Sequence, residues 1–64
     1  ENMFTIDYFV KTLKIPSEYV KGFEYYIVEN ERFVTILKSK NVTMTTFLIG
    51  ELATKYKEII ASEN

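Results

Sequence analysis

The chain has 64 residues, a net charge of −1 and ten aromatic side chains, and it contains neither cysteine nor histidine. Hydrophobic residues make up 47% and charged residues 27%, the balance of one small folded domain rather than a disordered tail. The missing residue types exclude disulfides, thiolate and imidazole metal ligands and nucleophile–histidine catalysis, and the near-neutral charge gives no overall attraction to nucleic acid.

A domain of this size buries only about 60% of the surface its unfolded chain exposes. It must therefore pack its aromatic side chains well or gain stability by self-association, which makes a homodimer an early expectation. No run approaches the roughly 18 apolar residues of a membrane span, and the start has no basic and apolar signal sequence. With no cysteine, these features predict a cytoplasmic location and an idle glycosylation triplet at Asn41-Val42-Thr43. The first residue, Glu1, fits a processed form, a single domain (1–64) excised from a longer chain, or a cloning remnant, with Met3 the alternative start.

The first block, about Thr5 to Lys14, predicts a helix. Thr5 can cap it, Asp7 lies in its first turn, Lys11 and Lys14 lie near its end, and Ile6, Phe9, Val10 and Leu13 recur at helical spacing. Pro16 stops the helix and biases Ile15 towards an extended conformation. The second block, Ser17 to Lys40, admits two readings. As one long helix, Val20, Phe23, Ile27, Val34 and Leu37 form a stripe interrupted by Asn30. The favoured reading is a short helix from Ser17 to Phe23 followed by a β-hairpin over 25–37. Tyr25-Tyr26-Ile27-Val28 and Phe33-Val34-Thr35-Ile36-Leu37 are rich in aromatic and β-branched residues, which suit strands, and Asn30 suits a tight turn with φ > 0. Gly22 also weakens a long helix by roughly 1 kcal/mol. The third block predicts a long helix over 43–61. Thr43, Thr45 or Thr46 would cap it, Met44, Phe47, Leu48, Leu52, Tyr56, Ile59 and Ile60 form a wide apolar face, and Gly50 is a weak point or a close-packing position.

An apolar helix ending at Leu13, a turn at Lys14-Ile15-Pro16 with Ile15 as an apolar plug, and a second helix capped by Ser17 have the spacing of a helix-turn-helix over 5–23. The stretch from Phe4 to Glu24 resembles the opening of MerR-type regulators and phage excisionases. The resemblance covers roughly the first 37 residues. It implies a hairpin wing at Tyr25 to Leu37 with Arg32 near its tip, and DNA as the partner. Such families usually place a glycine at the position of Lys14.

Residues 11–40 carry six basic and four acidic side chains, a net +2 on the candidate reading head. The expected function is therefore non-catalytic DNA binding, as a regulatory or architectural accessory factor. Ser17, Tyr19 and Lys21 would face the major groove, Lys11, Lys14 and Lys38 would touch phosphates, and Arg32 would reach from the wing. A dimer or partner interface is expected on the last helix through Phe47, Leu48, Leu52, Tyr56, Ile59 and Ile60. The alternative is a protein-interaction or homo-oligomerisation module without nucleic acid, built as a three-helix bundle, with Tyr19, Tyr25 and Tyr26 at a protein interface. Dispersed acids and the lack of any glycine-rich phosphate loop predict no enzyme activity, metal or cofactor. The fold class expected is mainly α, or α+β with the wing.

Overall fold

The computed structural model describes residues 5–63, so Met3 and Phe4 lie outside the described part. It is mainly helical, with no strand among the described residues. An N-terminal π-turn (Tyr8–Thr12) and a 3-10 turn (Ser17–Tyr19) precede three α-helices: α1 (Val20–Val28), α2 (Glu31–Lys38) and α3 (Val42–Ser62). At 21 residues α3 is about 31 Å long, and it packs against both α1 and α2.

The expected first helix is present in altered form: residues 6–12 are helical, most of them in the π-turn, and Lys14 lies outside it. Thr5 Oγ1 accepts from the Tyr8 amide at 3.2 Å. The turn then widens, with the Leu13 amide donating to the Tyr8 carbonyl at 3.1 Å. Lys14 adopts φ 63°, and the Ile15 amide donates back to the Phe9 carbonyl at 2.9 Å. A left-handed residue after a helical end is the usual device for closing off its last carbonyls. Phe9, Leu13 and Ile15 are buried, so Ile15 is the apolar plug that the turn required, whereas Ile6 is exposed. Ser17 does not cap by its side chain: Pro16, with ψ 140°, leads extended into the 3-10 turn, which runs straight into α1.

The expected hairpin over 25–37 is absent; both segments are helical. Asn30 explains why. It takes φ −86°, not a positive value, and its Oδ1 accepts from the Phe33 amide at 2.8 Å, so it ends one helix run and caps the next. A single helix over 17–40 is excluded by the same break. Val20, Phe23 and Ile27 are buried on α1 and Phe33 on α2, while Tyr25 and Val28 stay exposed. Burial at three- and four-residue spacing outweighs the weak strand preference of the β-branched residues.

A tight reversal joins α2 to α3, with Lys40 at φ 62°. The cap of α3 is Asn41, whose Oδ1 accepts from the Met44 amide at 3.0 Å. None of the expected threonines caps it. Thr45 is buried and its hydroxyl donates to the Asn41 carbonyl at 2.8 Å. The core consists of Phe9, Leu13 and Ile15 from the N-terminal segment, Val20, Phe23 and Ile27 from α1, Phe33 from α2, and Leu48, Ile49, Leu52 and Ala53 from α3.

Candidate functional site

An aromatic cluster ties α1 to α3. Phe23, fully buried, meets Phe9 edge-on at 5.5 Å between ring centroids and Tyr56 at 5.4 Å, and Tyr26 lies 5.2 Å from Tyr56. Tyr56 Oη donates to the Tyr19 carbonyl at 3.4 Å. The hydroxyl sits directly over Gly22, where an added Cβ would overlap it. Gly22 is thus a close-approach position in α1. Gly50 is not one, because a Cβ there would meet nothing within 4 Å. Burial first, and then the charges of Glu63 and Tyr19, raise the pKa of Tyr56 above its ordinary 10.0.

The residues expected to read DNA fall as follows. Lys11, Lys14, Ser17 and Lys21 are exposed along the first two segments and the start of α1. Tyr19 is half-buried and packed against the core, with its carbonyl under Tyr56. Without a hairpin, Arg32 has no wing tip to occupy. It lies in the first turn of α2 and Lys38 in the last, both exposed.

The residues expected on a partner interface divide. Leu48 and Leu52 are buried in the chain's own core and are unavailable to a partner. Tyr56 and Ile60 are half-buried. Phe47 is 63% exposed and Ile59 is 42% exposed.

The feature missed at the sequence level is an open apolar groove of about 390 Å³ between α1 and α2, lined by Phe9, Glu24, Ile27, Val28, Phe33, Leu37 and Ile49. Its lips are Val28, 58% exposed, and Leu37, 44% exposed. Glu24, half-buried, is its one charged lining residue. A signal existed: Glu24, Ile27 and Val28 on one side and Phe33 and Leu37 on the other have helical spacing, but the hairpin reading obscured it. Among the described residues no three acidic side chains gather into a metal-sized group, and no helix is long and apolar enough to cross a membrane. No family model, curated protein or solved structure matches the chain.

Proposed function

We propose that this chain is a protein-interaction module whose α1–α2 groove accepts one face of an amphipathic helix from another protein. The open apolar groove carries the reading. Exposed apolar side chains on so small a domain gain most when covered, and two exposed lips over a buried floor match the way helical ligands dock through side chains spaced three and four residues apart. The partner helix needs apolar side chains for Val28 and Leu37 and a lysine or arginine opposite Glu24, the negative charge at the groove. DNA recognition has less support, because the wing is absent and the overall charge is −1.

The test is an amide NMR titration of the isotope-labelled protein with two probes. One is an amphipathic helical peptide of leucine and lysine; the other is a mixed-sequence DNA duplex at low salt. Expected are saturable shifts at Glu24, Val28, Phe33 and Leu37 with the peptide. Leu37→Asp abolishes them and Glu24→Gln weakens them. Shifts confined to Lys14–Lys21 and Arg32 with the duplex, reversed by salt, would overturn the reading in favour of DNA. Peptide shifts unchanged by Leu37→Asp would overturn it as well.

A further inference from the structure

The outer surface of α3 carries a pattern that neither the core nor the groove uses. Phe47, Glu51, Lys55 and Ile59 recur every four residues, and all four are exposed. Residues at that spacing form one ridge inclined to the helix axis. This ridge spans about 18 Å. Its order is apolar, acidic, basic, apolar. Read in the opposite direction, it becomes apolar, basic, acidic, apolar. Because such ridges are inclined to the axis, two of them align when the helices cross at about 50°; each group of the ridge then faces its complement when the second copy runs antiparallel, and the charges face their own kind when it runs parallel.

We propose that α3 pairs antiparallel with α3 of a second copy of this chain, about a two-fold axis at the level of Ala53. Phe47 then packs against Ile59 of the partner subunit, and Glu51 meets Lys55 of the partner subunit. Two-fold symmetry makes each contact twice, as a closed isologous interface requires. Met44, exposed one turn before Phe47, extends the apolar end. Glu51, Thr54, Lys55 and Glu58 line a shallow, open depression on this face of α3. Glu58 adds a second carboxylate beside Lys55. The surface is separate from the α1–α2 groove, so either proposal stands without the other.

Sedimentation equilibrium at protein concentrations up to about 1 mM, where even weak association is populated, tests this pairing. Glu51→Lys and Lys55→Glu each turn the ridge centre into like charges. Each variant alone is expected to self-associate at least about tenfold more weakly than the parent. An equimolar mixture is expected to regain association, because the introduced lysine of one chain then meets the introduced glutamate of the other. Phe47→Ser is expected to weaken association while leaving the helical circular dichroism intact. A parent chain that stays monomeric at the highest concentration would overturn the proposal. So would single-charge variants that associate like the parent, or a mixture that associates no better than its components.

Discussion

Replacing Gly22 and Gly50 by alanine makes the same chemical change inside two helices, yet opposite outcomes are expected. At an open helical position the change stabilises by about 1 kcal/mol, through helix propensity and a less flexible unfolded chain. Gly50 is such a position, since a Cβ there has nothing within 4 Å. At Gly22 the new Cβ overlaps Tyr56 Oη. That ring cannot swing aside freely, because it lies 5.4 Å from Phe23 and 5.2 Å from Tyr26, and its hydroxyl is bonded to the Tyr19 carbonyl. Overpacking of this kind costs about 1–3 kcal/mol, and a strained or lost hydrogen bond adds about 1 kcal/mol. The net effect of Gly22→Ala is a destabilisation of about 1–3 kcal/mol, a large part of the few kcal/mol available to so short a chain. Urea unfolding followed by circular dichroism resolves the two effects, since at this size 1 kcal/mol moves the midpoint by about 1 M. The decisive arm is Tyr56→Phe. Without the hydroxyl, the nearest atom to the new Cβ is Cζ at 3.5 Å, ordinary contact distance. In that background Gly22→Ala is expected to become neutral or stabilising. A Gly22→Ala variant as stable as Gly50→Ala, or a destabilisation that persists unchanged in Tyr56→Phe, would refute the reasoning.

Lys14 and Lys40 hold left-handed backbone at φ 63° and 62°, a conformation that costs an L-residue about 1–2 kcal/mol. Lys14→Gly and Lys40→Gly are each expected to stabilise by about 0.5–1 kcal/mol after the unfolded-state entropy of glycine is subtracted, read as a rise of a few degrees in melting temperature. Asn30→Ala and Asn41→Ala are each expected to cost about 1 kcal/mol. Faster amide exchange at Phe33 and at Met44, respectively, checks that the loss is local. The pKa of Tyr56 is raised in the folded state above the 10.0 of the unfolded chain. Its neutral form thus favours folding, fully below pH 10 and progressively less as pH rises through the folded value. Tyr56→Phe is accordingly expected to flatten the alkaline loss of stability relative to the parent chain, measured by urea midpoints across that range.

Much of the chain's local grammar was legible in its residues. Thr5 as a cap, Ile15 as a buried plug and a long last helix all follow from short-range chemistry: donor and acceptor positions and apolar spacing. What local chemistry could not decide was the state of residues 25–37. Their β-branched and aromatic side chains favour strands by tenths of a kcal/mol each, and Asn30 serves a turn or a cap equally well. Packing made the choice: as helix, Ile27 joins Val20 and Phe23 on one buried face of α1, and Phe33 of α2 enters the same core. The same holds for the last helix and the two glycines. Composition marked a wide apolar face, but the tertiary arrangement assigned Leu48 and Leu52 to the core and left Phe47 and Ile59 outside. Sequence alone marked Gly22 as a helix weakness and offered Gly50 as the weak point or close-packing position. The position of one hydroxyl, far along the chain on Tyr56, made Gly22 a required close approach and left Gly50 open. Periodicity is a property of the chain, whereas the partner a face meets is a property of the fold.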